Sequence, residues 1–133
     1  MALPQHPGID MVHNMRAKAG YTQDWEVNQA LDRDIMENLR RSKAFLQENM
    51  IKLAPEKVSD QDISTLRKFE VAIAYAGVTD PDSSAAQRRL ANAIQGLNPT
   101  DQPLESTLYA NRKAFAESRI STPASRVSTA LEY

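Results

Sequence analysis

Residues 21–54 contain neither glycine nor proline, and apolar side chains recur through them at steps of three and four: Val27, Leu31, Ile35 and Leu39, then Leu46, Met50 and Leu53. A period near 3.6 residues puts such side chains on one face of an α-helix, whereas a half-buried strand alternates by two. Ser42 interrupts the stripe, and Trp25, Ala30 and Phe45 widen it. The stretch predicts one long helix starting near Thr22. Thr22 is a good N-cap, and Asp24 and Glu26 favour the positive end of the helix dipole. Pro55 ends the helix, because the residue before a proline avoids the α region. At ~1.5 Å per residue it would be about 45 Å long, more than the width of a compact domain of this size. It must protrude or form one rod of an elongated bundle.

The rest of the chain reads as shorter helices. A second runs from a Ser59 or Asp60 cap through Ile63, Leu66, Phe69 and Ile73 to Gly77. Its segment Val71–Ala76 (VAIAYA) is apolar nearly all round and is expected to be the best-buried part of the chain. A buried strand is the rival for that segment, but the preceding pattern and the alanines favour helix. A third helix is signalled by Asp80 as N-cap, Pro81 at the first helical position and Asp82 in the first turn, and is stopped at Gly96, Asn98 and Pro99. A fourth follows Thr100 or Asp101, carries Leu104, Leu108 and Phe115 on one face, and reaches about Arg119. The few residues between the second and third helices imply an antiparallel hairpin. The fold expected is all-α, a three- or four-helix bundle with a long first helix.

Both flanks look poor in core. Residues 1–21 hold Pro4, Pro7, Gly8 and Gly20 and read as an irregular arm with at most a turn of helix around Met11–Lys18. Residues 121–133 are rich in Ser and Thr. Thr122–Pro123 opens at best a short helix with Val127 and Leu131 on one side, marginal in water unless it docks. The organisation expected is an arm over 1–21, a helical domain over 22–120 and a tail or docking helix over 121–133. With aromatics at 6%, the core must rest on aliphatic side chains.

Chemistry is hard to find. The chain has no cysteine, which removes disulfides, thiolate metal sites and thiol catalysis. His6, Asp10 and His13 form a weak cluster in the arm, but a metal needs three or four converging ligands. The carboxylate pairs Asp60/Asp62 and Asp80/Asp82 sit at helix starts, where capping explains them, and Asp32/Asp34 lie among arginines on a surface face. The four glycines are isolated, so no phosphate-cradling loop is present. No catalytic, cofactor-binding or metal residues are assigned, and no cofactor is expected. Net charge is −1 and evenly spread, which speaks against nucleic acid. The largest basic knot, Arg40, Arg41 and Lys43, reads as a solvated face more readily than as a contact for phosphate or an acidic partner. The N-terminal residues lack the apolar core of a secretory signal, and no stretch approaches the ~20 apolar residues of a membrane span. A virion or cytoplasmic location is expected.

What remains is binding. Trp25 in the first turn of the long helix reads either as an anchor packed on the preceding arm or as a partner hot spot, where Trp is enriched. Tyr109 and Tyr133 raise the same question, and Val127, Leu131 and Tyr133 are the tail residues expected to be covered by a partner. A charge-balanced helical body with core-poor flanks suits a non-enzymatic structural or adaptor subunit of a large assembly, with copies of itself expected among its neighbours. A phage particle is one setting, with head–tail adaptors, internal core proteins and cementing proteins as examples of such parts. The alternative is a small cytoplasmic regulatory or chaperone-like helical binding module.

Overall fold

The computed structural model describes residues 5–121. They form helices α1 (Pro7–Ala19), α2 (Trp25–Met50), α3 (Asp60–Ala76), α4 (Ser84–Ile94), α5 (Glu105–Ala110) and α6 (Arg112–Ser121), with a 3-10 turn at Pro55–Lys57. There is no strand among the described residues, only an isolated bridge between Leu97 and Pro103. The all-α expectation holds, and α2 is the long rod that the sequence pattern demands. Asp24, not Thr22, is its N-cap, with the carboxylate accepting from the Glu26 and Val27 amides at 2.9 and 3.3 Å. Thr22 instead accepts from the Asp24 amide at 3.0 Å and exchanges bonds with the Asn28 side chain.

α3 is the centre of the bundle: α1, α2, α4 and α5 all pack on it. One core cluster joins Ile9 and Val12 of α1, Ile35 and Leu39 of α2, Val71, Ala72 and Tyr75 of α3, and Leu90 of α4. A second gathers Met50, Val58, Ile63, Leu66 and Tyr109, with Leu46 and Phe115 against it. Within VAIAYA, Val71, Ala72, Tyr75 and Ala76 are buried as expected, but Ile73 and Ala74 are only half-buried. Among the described residues, nothing covers that strip of α3 completely.

Four expectations are corrected. Residues 7–19 are a helix, not an irregular arm. Pro7 occupies the first turn, where a missing amide proton costs nothing, and the His6 ring nitrogen Nδ1 accepts from the Gly8 amide at 3.0 Å. Gly8 is there because α1 lies hard against α3: an added Cβ would stand 2.6 Å from the Lys68 carbonyl oxygen. The third helix begins at Ser84, because Ser83 takes the capping role, accepting from the Ala86 amide at 3.1 Å, while Asp80 closes a separate turn with Asp82. The fourth helix is two, α5 and α6, broken at Asn111 with φ −97° and ψ 64°. Tyr109 is fully buried and stacks edge-on against Phe115 at 5.0 Å, so it is core and offers no surface to a partner. The tail candidates Val127, Leu131 and Tyr133 lie outside the described residues.

A buried polar network ties the far corner together. Arg67 on α3 donates to Ser106 Oγ at 2.6 Å, to the Ile94 carbonyl at 3.0 Å and to Thr107 Oγ1 at 2.7 Å. Ser106 in turn donates through its hydroxyl and its amide to the carboxylate of buried Glu70. Thr107 closes the ring by donating to the Gly96 carbonyl at 2.8 Å. All three Arg67 nitrogens and both Glu70 carboxylate oxygens have partners, which favours tolerating these charges inside the protein. Arg112 acts similarly beside the 3-10 turn, donating to the Val58 carbonyl at 3.1 Å and pairing with Asp60.

Two consequences of the α1 packing can be measured. Ile9→Ala removes a buried anchor and is expected to lower stability by about 2–5 kcal/mol in urea denaturation; an unchanged midpoint would place α1 outside the core. Burial holds the His6 imidazole below its ordinary value of 6.5, with Arg67 adding to the shift. The neutral ring caps α1, so its contribution is full above pH 6.5 and is lost as acid protonates the ring below that value. His6→Asn, which keeps a capping side chain without a titrating ring, is expected to flatten this acid-side fall in melting temperature.

Candidate functional site

α2 has 26 residues and α3 has 17, and they run antiparallel through a short connection, so the first turns of α2 continue past the end of α3. The overhang leaves an open hollow of about 470 Å³ between the α2 residues Trp25, Asn28, Asp32 and Met36 and the α3 end at Tyr75–Val78. Arg16 and Tyr21, at the turn between α1 and α2, close its side. α1 ends on Gly20, whose φ of 86° lets the chain reverse toward α2.

The polar wall is a linked set. Arg16 Nε donates to Asp32 Oδ1 at 2.9 Å, and the Tyr21 hydroxyl donates to Asp32 Oδ2 at 2.9 Å. The Arg16 guanidinium lies over the Tyr21 ring at 5.1 Å and the Tyr75 ring at 5.3 Å, within cation–π range. Tyr75 Oη is 3.3 Å from His13 Nε2. Asp32 was read in the sequence as one of a pair of solvated surface acids. In the fold it is the acceptor that anchors α1 and the following turn to α2. Nothing local in the sequence signals this, because its partners stand 16 and 11 residues away.

Trp25 stands at the lip of the hollow and is 70% exposed. It is therefore no staple against the preceding segment. An indole left in water is free to bury most of its surface against something else. Its rigid ring sits beside Arg16, Tyr21 and Asp32, whose polar groups already have partners.

A second hollow of about 330 Å³ lies further along α2, between α2 and α4. Its floor is Met36, Ile73, Ala74, Gly77 and Leu104, which includes the uncovered strip of α3. Arg40 and Lys43 of α2 and Arg89 of α4 rim it. Glu70 reaches it too, but its carboxylate is held by Ser106. Arg40 and Lys43 belong to the basic knot noted in the sequence; Arg41 instead pairs with Glu37 at 2.6 Å.

No group of three or more His, Cys, Asp or Glu side chains converges as a metal site among the described residues. His6 and His13 are turned to the α1 cap and to Tyr75. No helix among the described residues is long and apolar enough to cross a membrane. Comparison with known protein families, curated proteins and solved structures finds no match to the chain.

The Tyr21–Asp32 bond has a spectroscopic consequence. Burial raises the Tyr21 hydroxyl above its ordinary value of 10.0, and the bond to Asp32 raises it further, with Arg16 opposing. The protonated hydroxyl thus contributes stability that is full below pH 10.0 and is lost as the pH climbs through the raised value. In tyrosinate absorbance titration, Asp32→Asn is expected to bring one of the four tyrosines back toward 10.0. Titration curves that superimpose would show that the bond is absent in solution.

Proposed function

We propose that this chain is a non-enzymatic structural or adaptor subunit that works by docking onto other proteins in a larger assembly, with a phage particle as one setting that suits it. The observation that carries the reading is Trp25, 70% exposed at the mouth of a built hollow. The fold gains little from an indole in that position, while a partner that covers it gains a rigid aromatic anchor. The body behind it supports the same use: α1, α2 and α3 are fixed to one another by Asp32 and by the core of Ile9, Ile35 and Tyr75, so the hollow is presented on a firm frame. A second reading is a small regulatory or chaperone-like binding module. It is favoured by the openness of the hollow on a single chain, which could receive a partner segment without further copies.

Trp25→Ala tests the proposal. The exposed position predicts a stability change within about 0.5 kcal/mol. A hot-spot role predicts a loss of ~2 kcal/mol or more in partner affinity, roughly 30-fold. Native mass measurement on material isolated from the source is expected to find the wild-type chain in a particle many times its own mass, and the variant chain largely outside it. A small particle of the chain with one partner would favour the binding module. A wild-type chain that is alone in its source, or a variant incorporated as well as wild type, would overturn the docking role.

A further inference from the structure

The two hollows are both lined by Met36 and Gly77. Among the α2 residues that line them, Trp25, Asn28, Asp32, Met36, Arg40 and Lys43 follow at steps of three and four, with Gln29 and Arg33 beside them in the first hollow. Such steps keep to one face of a helix, so they trace a single stripe along α2. From Trp25 to Lys43 the stripe rises about 27 Å, the length of a helix of roughly five turns. Facing it are Gly77, Ile73 and Leu104, and beyond them Arg89. We infer that the hollows form one furrow, and that its occupant is an amphipathic helix of a partner protein carrying acidic side chains toward the Arg40, Lys43 and Arg89 end. The inference rests on the docking reading above and names the kind of partner.

The shape of the furrow argues for a helix. One wall is the helix α2 over that length, and no strand edge is offered among the described residues to which an extended peptide could add. At its middle stands Gly77, where the absence of a side chain lowers the wall. A Cβ there would stand at 3.4 Å from the tip of Met36, an ordinary contact, so a larger residue would project into the furrow without opening the core.

The charge argues for acid. Asp32 is already paired with Arg16 and hydrogen-bonded by Tyr21, and Glu70 is paired with Arg67 and hydrogen-bonded by Ser106. Arg40, Lys43 and Arg89 have no ion pair among the described residues. A chain of net charge −1 thus holds unmatched positive charge at one end of an apolar floor. Carboxylates on one end of a docked helix would match it, while an apolar face with steps of three and four would cover Met36, Ile73 and Leu104. A nucleic acid would satisfy the cations but leave that apolar floor uncovered, and no aromatic ring lines the second hollow to stack on a base.

The test is selection from a displayed random peptide library on the intact chain, followed by affinity measurement. Peptides enriched on the wild type are expected to be helical, amphipathic and net negative. They are expected to blue-shift the emission of Trp25, the one tryptophan in the chain. Combined Arg40→Glu, Lys43→Glu and Arg89→Glu is expected to weaken them roughly 100-fold, and Lys-for-Glu versions of the same peptides to regain affinity for that variant. Gly77→Phe is expected to block them; if it fails to fold, the charge reversal, made at surface positions, carries the test. Peptides sensitive to Trp25→Ala but indifferent to the charge reversal would overturn the acidic-helix inference and leave docking standing. A short oligonucleotide that binds in their place, or a second copy of the chain that occupies the furrow, would overturn it too. No enrichment at all would sink both.

Discussion

The fold follows from the demand that α3 makes on its neighbours. The second half of α3 is apolar nearly all round and must be buried, so elements are laid around it. α2 and α1 cover one half, and α4 and α5 cover most of the other. Pro55 and Val58 turn the chain so that α2 and α3 lie antiparallel, and Gly8 lets α1 approach the α3 backbone without a side chain between. The cover is incomplete in one place. Ile73 and Ala74 remain half-buried, and the surface above them is the furrow. The proposed recognition surface and the core thus share one helix, seen from two sides.

The parts of this arrangement that could be read from sequence are those governed by local rules. The stripe from Leu31 to Met50 fixes α2, because a 3.6-residue period has no other satisfactory fold. Ser59 as cap and the run into VAIAYA place α3 to within a residue. Where local signals compete, sequence is a weaker guide. Asp80 and Ser83 both suit a cap, and only the path of the chain decides between a turn and a helix start. Pro7 and Gly8 read as breakers, yet Pro7 is harmless in a first turn and Gly8 is a packing requirement set by Lys68 and Val71, some 60 residues on. α1 is too short to hold alone, so its existence is a tertiary fact.

The proposed binding surface was the least legible part. Trp25 stands out by residue type, but the sequence cannot say whether it is covered. Tyr109 looked equivalent and is buried, because its partner Phe115 and the α3 side chains Ile63 and Leu66 enclose it. Arg40 and Lys43 looked like a solvated face, and Arg89 carried no signal at all. The three stand around one hollow only because α2 and α4 flank α3.

The Arg67 network bears on the shape of the furrow. A guanidinium is planar, and its donors leave it in fixed directions, so three bonds to α5 and the end of α4 set angles as well as distances. Gly96 relays that order to Leu104, whose amide donates to the Gly96 carbonyl at 2.7 Å. Leu104 is a wall of the furrow, and the opposite wall is the long, continuous rod of α2. Both walls are thus set before anything arrives. A groove with fixed walls loses little conformational entropy on association. In the docking proposed above, most of the ordering would then fall to the incoming segment, and its own helical propensity, more than any adjustment of this protein, would govern how tightly it is held.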